Sequence, residues 1–387
     1  MQYIAVLGST GSIGTSTLKV VRNLRDKFRI LALSTNSNID ILYRQAKEFD
    51  PEFISVQDLN AGVALEKKIG KQVLCGQVGL EKIIRDKRIK KIVLAISGSA
   101  ALKPLLKAIE ARKQIALVNK EALVMAGPLI MRRARDNGVK IIPVDSEQSA
   151  IWQCLEGEDR KKIKKIYLTA SGGPFRKYSK QQMKKVSIAA CLKHPRWKMG
   201  KKISVDSANL MNKGLELLEA MYLFNLKPDN IEVLIHPEAI IHSMVEFVDG
   251  VVMAQLSYTD MRIPIQYALT YPERLPNNTE RLNFAQVRSL NFEKPDFNKF
   301  PCLGLAFLAA RQGGTMPCVL NAANEVCVEE FLKGGLKFFS IPMVIEKVLR
   351  KHKNVVCAGL GDILAADLWA RSQTARIIKT TNDKRAN

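Results

Sequence analysis

The chain has 387 residues, of which 47% are hydrophobic and 25% are charged, a globular composition that excludes an intrinsically disordered protein. Its length exceeds a typical domain of roughly 100–200 residues, so we expect more than one domain. Sixty Lys and Arg residues against 37 Asp and Glu residues give a net charge of +23, which attracts anions. Such anions include nucleic acids, acidic membranes and small phosphorylated molecules.

Membrane, secreted and nucleic-acid-binding classes are disfavoured by what the sequence lacks. No apolar run approaches the ~18–20 residues that span a bilayer, and the first residues carry no basic leader. The seven cysteines are scattered without a Cys-x-x-Cys pair, so we expect a reducing, cytoplasmic location. Aromatic residues make up only 6% and no recognisable nucleic-acid module is present, so we expect no nucleic-acid partner.

Buried strands alternate with helices through the first third of the chain. The apolar patterns predict strands at residues 4–7, 28–33, 54–56, 92–96, 115–118 and 139–144, and helices at 15–24 and 39–49. Continuous apolar strands separated by helices are typical of a parallel, doubly wound sheet. We therefore predict an α/β fold that begins with a Rossmann-like domain at 1–144.

The pattern changes from residue 145 onward. Strand-like runs at 166–169, 231–235 and 251–256 mix with helices and glycine turns, which predicts a second, α+β domain at 145–272. The stretch 273–302 is rich in Asn, Pro and charge and is predicted to be a linker. Helical patterns at 305–311, 319–333, 341–351 and 361–378 predict a C-terminal helical domain at 303–387.

Three glycines separate the first predicted strand from the first predicted helix. Gly8, Gly11 and Gly14 form a Gly-x-x-Gly-x-x-Gly loop, which lets backbone N–H groups approach a pyrophosphate at the helix N-terminus. Glycines also occur in such turns for packing alone. Their position in the first strand–helix turn favours a dinucleotide.

The end of the second predicted strand carries no acidic residue. It reads Leu-Ser-Thr-Asn-Ser-Asn over residues 33–38, whereas NAD-binding folds usually place Asp or Glu there for the ribose 2′-hydroxyl. A carboxylate would repel a 2′-phosphate, so its absence favours NADP. The alternative is that these polar residues only form a turn.

An acidic pair follows the last strand of the first domain. Asp145 and Glu147 stand two residues apart, and on an extended segment both carboxylates would face one cavity. Oxygen ligands suit Mg²⁺ or Mn²⁺, although two surface acids on a solvated turn explain the pair equally well. Glu216 is a candidate third carboxylate, four residues after Asn212 and so on the same helical face.

Hydroxyl, amide and ammonium donors cluster in the second domain. Ser171 and Ser207 lie in Ser-containing segments, and Asn212 and Lys213 follow them. These groups are the donors that a phosphate monoester requires. The intervening loop at 193–200 reads Lys-His-Pro-Arg-Trp-Lys-Met-Gly and suits a lid that excludes water.

Two residues of that loop also have structural explanations. Trp197 would equally serve a hydrophobic core, and His194 would equally cap a turn.

Taken together, these motifs resemble those of the 1-deoxy-D-xylulose 5-phosphate reductoisomerase family. The resemblance covers nearly the whole chain in order. The matching segments are 8–14, 119–121, 144–147, 171–176, 194–200, 202–207, 211–216, 236–243, 261–264, 271–274, 300–303 and 320–325.

The resemblance implies an activity and an architecture. It implies rearrangement of 1-deoxy-D-xylulose 5-phosphate and reduction by NADPH to 2-C-methyl-D-erythritol 4-phosphate, in non-mevalonate isoprenoid biosynthesis. The cofactors would be NADPH and Mg²⁺ or Mn²⁺, and the substrate a small phosphorylated sugar. The implied protein is a homodimer whose protomer has an NADPH-binding domain, a catalytic α+β domain with a lid loop, and a C-terminal helical domain.

The resemblance also implies roles by position. The metal ligands would be Asp145, Glu147 and Glu216, and the catalytic residues Lys120, Glu147 and His194. The substrate contacts would be Ser146, Ser171, His194, Trp197, Met199, Ser207, Asn212 and Lys213. The cofactor contacts would be Thr10, Gly11, Ser12, Ile13, Asn36, Asn38, Asn119, Glu121 and Gly200. Many family members carry a basic residue where this chain has Ser37, so the basic segment around Lys193 is a candidate to hold the 2′-phosphate.

Two other functions fit parts of the sequence. The first is a metal-independent, NADP-dependent dehydrogenase of a phosphorylated aldehyde or semialdehyde. The second is a basic nucleic-acid-binding protein that retains only the dinucleotide fold; it would bind nucleic acid with strong salt dependence.

Overall fold

The computed structural model describes residues 1–193 and 200–386, with side chains up to residue 380. The chain divides into two compact units. The first contains Met1–Ala122, Ile130–Ser149 and Asp260–Glu280, and the second contains Leu123–Leu129, Ala150–Thr259 and Arg281–Asn387. The functional domains expected from the sequence stay a prediction.

A parallel seven-stranded sheet forms the centre of the first unit, in the order β4-β3-β2-β1-β5-β6-β7. Its strands are β1 (Gln2–Leu7), β2 (Phe28–Thr35), β3 (Phe53–Val56), β4 (Leu74–Cys75), β5 (Ile89–Leu94), β6 (Gln114–Leu117) and β7 (Ile141–Pro143). Because β2 and β5 pair on opposite sides of β1, a crevice forms beyond the carboxyl ends of β1 and β5. The predicted Rossmann-like sheet is confirmed.

Helices connect these strands. They are α1 (Ser12–Arg22), α2 (Ile39–Phe49), α3 (Leu59–Ile69), α4 (Gly76–Arg85) and α5 (Leu102–Glu110). Two further helices, α6 (Glu121–Asp136) and α7 (Ser146–Cys154), contribute residues to both units. Among the residues described, no helix combines the length and hydropathy needed to cross a bilayer.

A later segment of the chain returns to the first unit. Helix α12 (Arg262–Thr270) packs against α1. The ammonium of Lys91 on β5 lies 3.3 Å from the carbonyl oxygen of Ala268 near the end of α12. Burial lowers the pKa of Lys91 to about 8. This buried ammonium ties the C-terminal end of α12 to the sheet.

The second unit contains a mixed four-stranded sheet in the order β11-β10-β8-β9. Its strands are β8 (Ile163–Ala170), β9 (Ile231–Ile235), β10 (Ile241–Phe247) and β11 (Val252–Leu256). β8 pairs parallel with β9 and antiparallel with β10, and β10 pairs antiparallel with β11. Strand β10 was not predicted from the sequence.

Further helices of the second unit lie between β8 and β9 and in the C-terminal part of the chain. They are α8 (Lys180–Lys184), α9 (Ile188–Cys191), α10 (Lys201–Ala208), α11 (Met211–Phe224), α13 (Pro301–Gln312), α14 (Met316–Leu332), α15 (Ile341–Lys351) and α16 (Leu360–Ala386). Helices α11 and α13 pack closely because a Cβ at Gly214 would lie only 2.4 Å from the Cβ of Ala306. The helical C-terminal part expected from the sequence is confirmed.

Candidate active site

The glycine loop after β1 lies tightly against the neighbouring backbone. Gly8 has a φ of +88°, and a Cβ there would lie 2.5 Å from the carbonyl oxygen of Ala95, which follows β5. A Cβ at Gly14 would lie 2.3 Å from the carbonyl oxygen of Gly8. Only glycine fits both positions, so the loop stays close to the crevice between β1 and β5.

The N-terminus of α1 opens at this loop. Gly11 is the N-cap residue and, as a glycine, has no side chain with which to cap the helix. Thr10 is fixed by a 2.6 Å hydrogen bond between its hydroxyl and that of Thr35 at the end of β2. Backbone N–H groups and the positive end of a helix macrodipole favour an anion, so Thr10, Gly11, Ser12 and Ile13 fit a dinucleotide pyrophosphate.

The turn after β2 is polar and exposed. Asn36, Ser37 and Asn38 are all exposed. The side-chain oxygen of Asn38 accepts a 3.3 Å hydrogen bond from the backbone N–H of Ile41 and caps α2. Asn38 thus has the structural role that the sequence left open, while Asn36 and Ser37 leave the turn without a carboxylate that would repel a 2′-phosphate.

Asn119 positions the residue that follows it. Its amide nitrogen donates to the carbonyl oxygens of Ile96 at 2.9 Å and Gly98 at 3.0 Å, and its side-chain oxygen accepts from the N–H of Ala122 at 2.7 Å. The same amide nitrogen lies 3.0 Å from a carboxylate oxygen of Glu121. These bonds fix the backbone on both sides of Lys120 at the start of α6.

Lys120 and Asp145 form a buried ion pair. The ammonium lies 2.8 Å from a carboxylate oxygen of Asp145, and the two side chains are 8% and 11% exposed. Because both groups are buried, solvent screens the attraction between their charges only weakly, and this attraction is stronger than at the protein surface.

The predicted extended geometry of Asp145 to Glu147 is wrong. Ser146 begins α7, and the carbonyl oxygen of Asp145 accepts from the N–H of Ser149 at 2.8 Å. The Asp145 side chain accepts from the N–H of Glu147 at 3.4 Å, and the Ser146 hydroxyl donates to Glu147 at 2.7 Å. The first helical turn still brings one oxygen of each carboxylate within 4.8 Å of the other.

In the second unit, α11 brings Asn212 and Glu216 together, as the helical spacing predicted, and places Lys213 beside them. The Asn212 amide donates to one Glu216 oxygen at 2.6 Å, and the Lys213 ammonium pairs with the other. Lys213 is 3% exposed and Glu216 is 1% exposed. The pairing compensates a carboxylate that would be costly to bury alone.

The loop after β8 brings the two predicted serine segments together. Gly172 and Gly173 have φ values of +83° and +66°, and a Cβ at Gly173 would lie 2.7 Å from the carbonyl oxygen of Ser207. The N–H of Gly173 donates to the Ser171 hydroxyl at 3.4 Å. Glycine at position 173 thus lets the Ser171 loop contact the C-terminal end of α10.

Family comparisons agree with these features. The sequence matches the family models described as "1-deoxy-D-xylulose 5-phosphate reductoisomerase" over residues 4–127 and its C-terminal domain over 141–224. It also matches the "DXP reductoisomerase C-terminal domain" over 256–373. The chain is 48% identical over 383 residues to 1-deoxy-D-xylulose 5-phosphate reductoisomerase of Endomicrobium trichonymphae, covering 98% of this chain and 99% of that protein.

The chain belongs to the 1-deoxy-D-xylulose 5-phosphate reductoisomerase family. The corresponding protein of Ruminiclostridium cellulolyticum is 49% identical over 380 residues, 97% of this chain and 99% of its own length.

Solved structures of the reductoisomerase family have the same fold. A DOX-P reductoisomerase crystallised with NADPH, fosmidomycin and magnesium has a TM-score of 0.93 and 40% identity, with 99% of each chain covered. The Zymomonas mobilis enzyme in complex with NADPH has a TM-score of 0.91 and 38% identity, covering 97% of this chain and 99% of its own.

Part of the predicted site of this reductoisomerase family member falls in residues that the structure does not describe. His194, Trp197 and Met199 lie outside the described residues. Gly200, where the description resumes, is exposed and is the N-cap residue of α10.

Sequence reasoning did not single out His242 on β10. This residue is 5% exposed, and its Nε2 lies 3.2 Å from the carbonyl oxygen of Ser257. Burial, with smaller contributions from Lys213 and His236, lowers the pKa of His242 to about 4. The side chain is therefore neutral at neutral pH. In the sequence, His242 stands in a His-Ser pair within segment 236–243. The spacing of the residues in that segment does not indicate a role for the histidine.

Proposed function

We propose that this chain catalyses the NADPH- and divalent-metal-dependent conversion of 1-deoxy-D-xylulose 5-phosphate to 2-C-methyl-D-erythritol 4-phosphate in non-mevalonate isoprenoid biosynthesis. The observation that carries the proposal is the buried pair of Lys120 and Asp145, which follows neighbouring strands of a dinucleotide-type sheet. The family membership supports the same reaction.

The first unit supplies the proposed cofactor contacts other than Gly200, which belongs to the second unit. Thr10, Gly11, Ser12 and Ile13 would bind the pyrophosphate of NADPH. The remaining contacts would be Asn36, Asn38, Asn119, Glu121 and Gly200. When bound, NADPH supplies the hydride that reduces the rearranged aldehyde. The related structures that contain NADPH support this assignment.

The proposed metal ligands are Asp145, Glu147 and Glu216. Support comes from the Asp145 and Glu147 carboxylates of the first unit, which each place one oxygen within 4.8 Å of the other, and from the hard-oxygen preference of Mg²⁺ and Mn²⁺. A bound divalent ion polarises the substrate ketone and lowers the pKa of the adjacent hydroxyl. The hydroxyl of Ser146, held against Glu147, would contact the reacting hydroxyl groups.

Side chains of this protein orient the substrate and stabilise charge. Lys120 would stabilise negative charge that develops on a substrate oxygen, because its ammonium is already fixed and buried. Ser171, Ser207, Asn212 and Lys213 would hold the phosphate group. His194 would act at the reacting hydroxyls, and Trp197 and Met199 would exclude water as part of a lid. Binding energy from the remote phosphate would support orientation at the reacting carbons.

Metal dependence separates this reaction from a simple dehydrogenase. NADPH oxidation is followed by absorbance with the deoxyxylulose phosphate as substrate and Mg²⁺ present, then after EDTA, then after Mg²⁺ or Mn²⁺ is restored. The proposal predicts loss with EDTA and recovery with either ion. Turnover undiminished by EDTA would instead support the metal-independent dehydrogenase.

We further propose that the protein is a cytoplasmic homodimer. The seven cysteines are all free, which suits a reducing compartment. Among the described strands, β11 lies at an edge of its sheet and exposes Val252 at 48% and Met253 at 36%, next to Val251 at 54%. Exposed apolar strand edges are typical of association surfaces. Light scattering of the wild type and of Val252→Lys tests this, because the charge should favour monomers.

A further inference from the structure

A buried carboxylate lies directly before one of the proposed phosphate contacts. Asp206 on α10 is 1% exposed and precedes Ser207. One carboxylate oxygen lies 2.8 Å from the ammonium of Lys202, and the other accepts a 2.9 Å hydrogen bond from the side-chain nitrogen of Asn324 on α14. This second bond joins α10 to the C-terminal helices.

The side-chain amide of Asn324 uses its nitrogen as a donor but does not use its oxygen as an acceptor. The residue is fully buried, and its side-chain oxygen has no hydrogen-bond partner in the part of the chain that the structure describes. An unused buried acceptor costs free energy, which a leucine of similar size would avoid. The amide is therefore best explained by its donor, which contacts Asp206.

Fixing Asp206 fixes the direction of its neighbour. Successive residues of an α-helix point about 100° apart, so a helix held at Asp206 presents Ser207 in one defined direction. Lys202, one turn earlier, contacts the same carboxylate and so lies on the same face. From the Ser171 loop, Gly173 approaches the backbone oxygen of Ser207 so closely that no larger residue would fit.

We propose that Asn324 is a positioning residue for the substrate phosphate: through Asp206 it sets the rotation of α10 and thereby directs Ser207. The inference rests on the proposed function, in which Ser207 holds the phosphate. The proposed chemistry assigns no role to the Asn-containing segment 320–325. The present proposal assigns it one, the positioning of Ser207. The C-terminal helices then contribute to substrate binding without touching the substrate.

Asn324→Leu tests the proposal by steady-state kinetics. We expect the KM for 1-deoxy-D-xylulose 5-phosphate to rise about tenfold, as expected from the loss of one charge-assisted hydrogen bond. The KM for NADPH should not change, and kcat should change less than about threefold. Loss of folded enzyme would lower the apparent kcat and leave KM unaltered, so a purely structural role gives a different result.

Asn321→Leu is the matched control. Asn321 is also fully buried on α14, but its amide nitrogen lies 3.3 Å from Glu325 of the same helix. We expect this variant to keep the wild-type KM for the phosphorylated sugar, even where it lowers thermal stability. An equal rise of KM in both variants would overturn the proposal, because general loosening of α14 would explain it.

A double-variant cycle tests the contact itself. Asp206→Asn removes the charge that both Asn324 and Lys202 contact, so we expect its KM to rise. If Asn324 acts through Asp206, Asp206→Asn with Asn324→Leu should raise KM by less than the product of the two single effects. Two effects that multiply would contradict the proposed contact. If the wild type itself does not turn over the sugar phosphate, the proposed function fails. If the wild type is active and Asn324→Leu has an unaltered KM, only this inference fails.

Discussion

The ammonium of Lys120 lies 2.8 Å from a carboxylate oxygen of Asp145, and both side chains are almost entirely buried. Lys120 follows β6 and Asp145 follows β7, and these strands are neighbours in the sheet. The carboxyl ends of parallel strands meet at one edge, so the topology brings the two residues together. The pair therefore depends on the sheet and on the short segments that follow its strands.

Asp145→Asn should abolish turnover while NADPH still binds. The substitution removes a proposed metal ligand and the partner of the Lys120 ammonium but keeps the side-chain shape. We expect kcat to fall about a thousandfold, roughly 4 kcal/mol of transition-state stabilisation. NADPH oxidation at saturating Mg²⁺ measures kcat, and fluorescence titration measures NADPH affinity.

Asp50→Asn provides the control for that variant. Asp50 is also paired with a lysine, Lys71, but its side chain is 76% exposed. Wild-type kinetics are expected, because exposed ion pairs contribute little. Near-native turnover of Asp145→Asn would show that the metal assignment is wrong.

Gly14→Ala should weaken NADPH binding. The added Cβ would lie 2.3 Å from the backbone oxygen of Gly8, which cannot move without displacing the loop. We expect the KM for NADPH to rise by about tenfold, since overpacking of this kind costs about 1–3 kcal/mol. Gly361→Ala is the control, because a Cβ there would meet no atom of the described residues within 4 Å. Equal NADPH affinity in both variants would contradict the proposed role of the loop.

Asn36→Asp should reduce the preference for NADPH over NADH. Asn36 is exposed after β2, where a carboxylate would repel the 2′-phosphate. Two close charges repel by about 1–4 kcal/mol at effective dielectric constants of about 20–80, so catalytic efficiency with NADPH should fall about tenfold. Catalytic efficiency with NADH should stay the same or increase. Asn298→Asp, at another exposed position, should leave the ratio unchanged.

His242 should make the protein less stable in acid. Its pKa is lowered to about 4 by burial, against about 6.5 in an unfolded chain, so the unfolded state binds its proton first as pH falls. The stabilisation is present above about pH 6.5 and is lost between about pH 6.5 and 4. From pH 7 to 5 this group should cost about 2 kcal/mol.

Urea unfolding of the wild type and His242→Gln at both pH values measures this loss. The glutamine does not titrate, and its amide N–H can replace the bond to Ser257. We expect the wild type to lose more stability than the variant between pH 7 and 5. Parallel losses in the two proteins would show that His242 is not the titrating group.

The first sheet was predictable because its strands are continuous apolar runs with turn residues between them. Helix α2 and strand β9 occur at the predicted residues, Ile39–Phe49 and Ile231–Ile235. The two-residue strand β4 is too short to produce a pattern. Strand β10 follows a histidine- and proline-containing turn and mixes buried polar residues with apolar ones, so alternation was weak there.

Other features depend on packing between residues that are far apart in the sequence. The periodicity of apolar residues gives no information about such packing. Nothing in the local sequence indicates that α12 belongs to the first unit. Ser146 begins a helix, although the apolar run before it predicted continued extension. Helical spacing did predict that Asn212 and Glu216 share a face, because that relationship lies within one element. The hydrogen bond from Asn324 to Asp206 joins residues that are 118 positions apart in the sequence. It could be identified only once the fold was known.

The most direct test of the central claim is the carbon skeleton of the product. Carbon-13-labelled 1-deoxy-D-xylulose 5-phosphate is incubated with the protein, NADPH and Mg²⁺, and the product is identified by NMR spectroscopy. The account predicts the branched chain of 2-C-methyl-D-erythritol 4-phosphate, formed in step with NADPH oxidation. An unbranched reduced sugar phosphate, or unchanged substrate, would contradict it.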